Sequence, residues 1–166
     1  MTLLEMMITV GVGMIALAAV GSMMLYTARS FVASGNYADL DRASFIALDT
    51  LSRDLRQSRA LTAFTTNKLT LTDNDSGTLI YEYDPATGQF TRQKNGQTTV
   101  LLEQCDFLNF AIYQRNPTKG WNWYPVTTNL VSTTKLIDVS WKCSRKILGA
   151  KVNTESVQTA KVVIRN

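Results

Sequence analysis

Residues 6–28 form an uncharged run dominated by Met, Leu, Ile, Val, Ala and Gly. A helix needs about 20 such residues to cross the hydrocarbon core of a bilayer, so the run predicts a membrane-spanning helix. No proline precedes Pro85, and from Gly35 to about Thr62 the period stays helical. Tyr37, Leu40, Ser44, Ala47, Leu48, Leu51 and Leu55 recur at spacings of three and four, which places them on one face that should pack on something. Asp39, Arg42, Asp49, Arg53, Arg56 and Arg59 mostly take the other side. Asp49 with Arg53 has the i,i+4 order that supports an exposed helix, so the arginines read as a solvated face. One helix running to residue 62 would be about 90 Å long at 1.5 Å per residue.

After Thr62 the period becomes two. Residues 68–73 alternate, residues 78–83 are β-branched and aromatic, 84–88 (DPATG) is a turn, and 89–92 answers it as the second arm of a hairpin. Asn95-Gly96 is a second turn signal, followed by a strand at 99–102. Further strands are expected at 106–113, 135–141 and 159–165. Between them, residues 114–134 read as a long polar loop bearing Pro117, Gly120, Trp121, Trp123, Tyr124 and Pro125; loops of that length are commonly functional. The expected architecture is α+β: a long N-terminal helix, apolar in its first half, packed by its second half against an antiparallel sheet head. The expected segments are 1–28 (membrane helix), 29–62 (amphipathic continuation) and 63–166 (head).

Composition removes much of the enzyme repertoire. The 166 residues include no histidine and only two cysteines. Imidazole-based triads, HExxH sites, four-thiolate zinc sites and iron–sulfur clusters therefore cannot be built. The net charge of +4 comes from basic residues scattered from Arg29 to Arg165, without the dense block that marks a nucleic-acid tail. All six methionines fall within the first 24 positions, so a greasy head segment is joined to an ordinary polar body. A secretory signal fits less well, because no basic residue precedes the run.

Glu5 is the one charge before Arg29. An ionisable group in such a segment is costly and calls for a partner. It could lie at headgroup level and favour the positive end of the helix dipole, or pair with the Met1 amino group, its own or a neighbour's. Met1-Thr2-Leu3-Leu4-Glu5-Met6 resembles the mature N-terminus of type IV pilins. The resemblance implies processing by a prepilin peptidase, N-methylation of Met1, and an assembly role for Glu5. The basic leader and glycine of that family do not precede Met1, so the expectation is a mature chain or one trimmed at its start. Gly11, Gly13 and Gly21 each cost the helix about 1 kcal/mol relative to alanine. They read either as close-packing points or as weak points, and the resemblance implies the second, although the proline common in pilins after this region is missing. The stretch 42–59, with Leu48, Leu51, Arg53, Leu55 and Arg56, is similar to the LxRDLRxA helix of J-type minor pseudopilins of type II secretion and W-type minor pilins. The end of the chain, 162–166, resembles theirs.

Cys105 and Cys143 bracket the long loop. If strands 106–113 and 135–142 pair antiparallel, the two sulfurs meet across the ladder, and a disulfide is the first reading over free thiols. The 73–77 stretch (DNDSG) offers oxygen ligands, but no glutamate completes an EF-hand pattern, so a polar turn is preferred. Asn74-Asp75-Ser76 also matches the glycosylation tripeptide. Trp121, Trp123 and Tyr124 could stack on a partner, although packing over a sheet edge is the first reading. Gly11-Val12-Gly13 has no strand before it and is no phosphate loop.

No catalytic cluster is found, so no enzyme activity, cofactor, metal or small-molecule substrate is expected. The first functional reading is a structural subunit of a type IV pilus-like filament. Its expected partners are copies of itself or related pilins, a prepilin peptidase and an inner-membrane assembly platform. It would be stored in the inner membrane, then displayed in an extracellular or periplasmic filament. Alternatives are a minor tip pseudopilin or priming pilin and, from another class, a membrane-tethered periplasmic binding protein using the 114–134 loop. Adhesion, motility, secretion and DNA binding stay open.

Overall fold

A computed structural model describes residues 2–116, 120, 122–126, 128–147 and 154–164. The chain begins with a single helix, α1, spanning Leu3–Gln57, about 82 Å long at 1.5 Å per residue. Its first buried residue is Leu40; residues 14–32 are exposed throughout, and contact with the head begins at Asn36 and Asp39.

The helix ends at Gln57, not at residue 62. Ser58 turns to extended geometry (φ −68°, ψ 144°). Its backbone N–H donates to the Asp54 carbonyl at 2.9 Å and its hydroxyl to the Leu55 carbonyl at 2.9 Å. Carbonyls of the last turn are thus satisfied by chain that is no longer helical. Residues expected to continue the helix instead form β1, Ala60–Phe64, which buries Leu61 and turns Thr62 outward. Tyr37, expected on the buried face, is 38% exposed because it lies about one turn before Leu40, the first helix residue that the core buries.

The remaining strands are β2 (Lys68–Thr72), β3 (Thr78–Asp84), β4 (Gln89–Lys94), β5 (Gln97–Leu102), β6 (Cys105–Gln114), β7 (Tyr124–Pro125), β8 (Thr134–Ser144) and β9 (Glu155–Val163). They form two antiparallel sheets, β1-β2-β3-β4-β5 and β7-β6-β8-β9. The head is therefore split between β5 and β6, where Gln104 adopts a positive φ of 58° and turns the chain out of the first ladder. Asn95 and Gly96, with φ of 53° and 79°, supply the two left-handed positions of a tight hairpin turn. The 114–134 segment is less open than its composition suggested. It holds β7 and a 3₁₀ turn at Thr128–Thr133, and the Val126 N–H donates to the Ile112 carbonyl at 3.1 Å.

Both sheets share one core with the second half of α1. Leu40, Ala47, Leu51 and Leu55 meet Leu69, Leu71, Tyr81 and Phe90 of the first sheet and Phe110, Ile137, Val139 and Trp141 of the second. Ser44 is buried in the helix face because it accepts the Trp141 indole N–H at 3.2 Å. The fold is α+β, with a bare apolar helix half and an embedded amphipathic half.

Candidate functional site

The exposed half of α1 is the most unusual surface of the molecule. Its most apolar window has a mean hydropathy of 2.2 and none of it is buried. The helix is long and apolar enough to cross a membrane and fits a membrane anchor. No charge breaks it between Glu5 and Arg29, and its serine and threonine hydroxyls there are internally satisfied. Thr9, Ser22 and Thr27 donate to the Met6, Ala19 and Met23 carbonyls at 2.8–2.9 Å, as polar groups in a helix surrounded by lipid must.

Glu5 has a structural role that the sequence reading did not assign. Thr2 is the N-cap: its hydroxyl accepts the Glu5 N–H at 3.4 Å, and the Glu5 carboxylate accepts the Thr2 N–H at 3.3 Å. This is a reciprocal capping box, readable as Thr-x-x-Glu before an apolar run. Glu5 remains exposed, so its carboxylate is open to a further donor. Met1, its expected partner, lies outside the described residues. The helix passes through Gly11, Gly13 and Gly21 without interruption, and a Cβ built at any of them would meet nothing within 4 Å. Within one chain these glycines pack against nothing.

At the other end of α1, Asp54 ties the helix to the first sheet. Its Oδ2 accepts the Tyr81 hydroxyl at 2.6 Å and the Arg92 Nε–H at 2.6 Å. Tyr81 is fully buried. Its burial, reinforced by the adjacent carboxylate, pushes the phenol well above its ordinary value of 10.0. The hydrogen bond from its own Nε–H to Asp54 raises Arg92 above the ordinary guanidinium value. Asp54 was missed as a special position, yet it follows Leu51 by three and so sits on the buried face. A carboxylate at a core spacing was the available signal. On the solvated side, Arg53 meets Asp49 at 2.5 Å, as the i,i+4 order implied.

Cys105 and Cys143 stand opposite each other on β6 and β8 with Cα atoms 4.0 Å apart and form a disulfide. Closing a 38-residue separation stabilises the head by about 4 kcal/mol in the chain-entropy picture. The Asp73–Gly77 stretch is a turn: the Asp73 N–H donates to the Gly77 carbonyl and the Ser76 N–H to the Asp73 carbonyl. The Asp73 carboxylate is occupied by Lys94 at 2.5 Å. Trp123 and Tyr124 are each 43% exposed, and Tyr124 belongs to edge strand β7 opposite Gln114; Trp121 lies outside the described residues. At the neck, where α1 enters the head, a polar cleft of about 890 Å³ is lined by residues including Asn36, Thr87, Glu103, Asp106, Arg145 and Lys146. Arg145 reaches Asp39 of the helix at 3.1 Å.

No known protein family matches this chain, and no curated protein matches it.

Proposed function

We propose that this chain is a structural subunit of a type IV pilus-like filament, non-enzymatic, held in the inner membrane by residues 6–28 and transferred from there into a polymer. The observation that carries the reading is the division of one unbroken helix, Leu3–Gln57. Its first half is bare and apolar with a lone carboxylate at its start, and its second half is built into a disulfide-bonded head. A simple tether needs apolarity alone. It does not need a rigid rod continuous with the head, and at position 5 it needs only a helix cap, which uncharged glutamine supplies as well as glutamate.

Moving such a helix from lipid to protein yields little hydrophobic free energy, because acyl chains are as apolar as leucine. Register and specificity must come from packing and from the few polar groups present. Glu5 is the only charged side chain in the first 28 residues, and a partner amino group in a low-dielectric core would fix the axial position of each subunit. The resemblance of residues 1–6 to pilin N-termini supports a neighbour's methylated Met1 as that partner, with a prepilin peptidase and an inner-membrane platform upstream.

Electron microscopy of material sheared from producing cells, with mass spectrometry of the intact subunit, tests the reading. Filaments built of this chain with a methylated Met1 are expected. A methylated chain missing from the bulk polymer would move it to a rare tip or pseudopilus position. An unmethylated chain confined to the membrane would overturn the filament reading in favour of a tethered binding protein using the neck cleft or the Trp123–Tyr124 edge.

A further inference from the structure

We propose that the polar cleft at the neck binds the headgroup of a zwitterionic phospholipid whose amine is a primary ammonium. The inference rests on the membrane-held stage of the reading above and on nothing about the polymer.

The cleft lies at the end of the head nearest the apolar half of α1. Asn36 supplies its helix side, and the 85–88 turn, the 103–106 connection and the end of β8 supply its head side. Two contacts hold the head against the helix there: Arg145 meets Asp39 at 3.1 Å, and the Ser156 hydroxyl donates to Asp41 at 3.0 Å. Four charged side chains line the cleft: Glu103, Asp106, Arg145 and Lys146. Arg145 is engaged by Asp39, and Asp106 accepts the Ser144 hydroxyl. Glu103 and Lys146 are exposed, and among the described residues neither forms an ion pair, with the other or with any third group. An open anion and an open cation that face one cavity without meeting suit a ligand carrying both charges on a short chain. A phosphate diester accepts a charge-assisted hydrogen bond from the Lys146 ammonium, and a primary ammonium offers Glu103 three N–H donors.

Position selects a lipid over a free zwitterion. Asn36 stands eight residues beyond Ala28, about 12 Å along the helix, and the headgroup layer adds about 5–7 Å to each side of the hydrocarbon. In an upright helix the cleft would therefore stand just above the headgroups. The run 6–28 is about 34 Å long, more than the roughly 30 Å hydrocarbon core, and such helices absorb the excess by tilting. Interfacial basic anchors set the direction of the tilt. Arg29 is the first charge beyond the run, and it precedes Leu40 by eleven residues, three turns and about 20°. It therefore lies on the side of the helix that carries the head, and its attraction to phosphate leans the head toward the bilayer. At a tilt of about 20°, a point about 10 Å off the axis drops by roughly 3 Å. The Lys146 stem can snorkel across the remainder, which brings the open pair to headgroup level.

The test uses the full chain in nanodiscs made from equal parts of phosphatidylethanolamine, phosphatidylcholine and phosphatidylglycerol. Native mass spectrometry of the released chain counts the lipid it retains. Phosphatidylethanolamine should be enriched, because the choline headgroup has no N–H to donate and the glycerol headgroup has no cation. Lys146→Ala should lower its retention by about tenfold, as loss of one charge-assisted hydrogen bond implies, and Glu103→Gln should abolish the preference over phosphatidylglycerol. Lys161→Ala, on β9 outside the cleft, should retain lipid like the unsubstituted chain. A photoreactive p-benzoylphenylalanine in place of Ala86 should form an adduct with the mass of an intact phospholipid, and the same group in place of Gln93 on β4 should not. Equal retention of the three lipids, or unchanged retention in Lys146→Ala and Glu103→Gln, would overturn the site and leave the filament reading intact. Binding of soluble phosphoethanolamine without a lipid adduct at position 86 would assign the cleft to a free zwitterion and overturn the lipid. A chain that fails to insert would overturn the membrane-held stage and the site together.

Discussion

Removing the Asp54 carboxylate should loosen the helix from the head more than any other single polar change in α1. Asp54→Ala leaves two donors facing an empty position: the Tyr81 hydroxyl, on a fully buried side chain, and the Arg92 Nε–H, on a side chain 22% exposed. Breaking a buried pair by deleting one partner costs about 3–5 kcal/mol, because the remaining charge and hydroxyl stay desolvated. Asp54→Asn keeps one acceptor oxygen and loses the charge, so a smaller loss of about 1–3 kcal/mol is expected. At about 2–4 °C per kcal/mol for a unit of this size, Asp54→Ala should lower the melting temperature by roughly 6–20 °C. The assay is thermal unfolding of the full chain in detergent, followed through the near-ultraviolet signal of the buried Trp141. A second arm separates the pair from its site. Because a buried ion pair is often replaceable by apolar groups, Asp54→Leu with Tyr81→Phe and Arg92→Met should recover much of the loss. A loss below about 1 kcal/mol for Asp54→Ala would refute the reasoning, since only a well-solvated pair is that cheap to break.

Two further outcomes follow from the head. Gly88 closes the β3–β4 hairpin at φ +65°, and a Cβ there would stand 3.0 Å from the Cys105 carbonyl oxygen; Gly96 has φ +79° and open space around it. Gly96→Ala should cost about 1–2 kcal/mol for its left-handed backbone alone, and Gly88→Ala at least ~1 kcal/mol more for the backbone contact; equal urea midpoints for the two variants would contradict this. The Lys94 ammonium beside Asp73 holds its carboxyl below the ordinary 3.8, helped by the Asn74 N–H and opposed by burial. A depressed acid contributes stability that is complete above 3.8 and lost as pH falls through the lower folded value. Urea midpoints measured from neutral pH downward should therefore fall below that point, and fall less steeply in Asp73→Asn; identical acid limbs would exclude Asp73 as a contributor.

Most of the architecture was legible because two periods were clean. The three-and-four spacing of Leu40, Ser44, Ala47, Leu51 and Leu55 identified the buried helix face, and the DPATG and Asn-Gly turns set the hairpins within a residue or two. The exit from the helix was not legible, since residues 60–63 (ALTA) suit a helix as well as a strand, and only pairing with β2 decides between them. The two-sheet division was hidden for a similar reason: β5 and β6 are adjacent in sequence, and nothing short of the Gln104 backbone tells a hairpin from a change of sheet. The disulfide was readable from strand order alone. Asp54 was not, because among the charged residues of an amphipathic helix its three-residue offset from Leu51 was the sole sign that it faces inward.

The chemistry at Glu5 admits two accounts, and one substitution separates them. In the first, Glu5 matters because it caps α1, accepting the Thr2 N–H at 3.3 Å. In the second, it matters because it is an anion that pairs with a neighbour's amino group. The two are compatible, because a carboxylate offers about four lone-pair sites and one capping bond leaves the others free while orienting the group. Glutamine fills the same position in a capping box but carries no charge. If the charge is what assembly requires, Glu5→Gln should reduce filament yield nearly as far as Glu5→Ala. Loss of one partner of a desolvated pair costs ~3 kcal/mol or more, a drop on the order of a hundredfold. The helix itself should be equally intact in membranes in both variants. If capping is what matters, Glu5→Gln should polymerise like the unsubstituted chain and only Glu5→Ala should fail. Yield in sheared fractions, normalised to membrane-held subunit, reads the difference directly, and normal polymer from Glu5→Gln would sink the charge-pairing account.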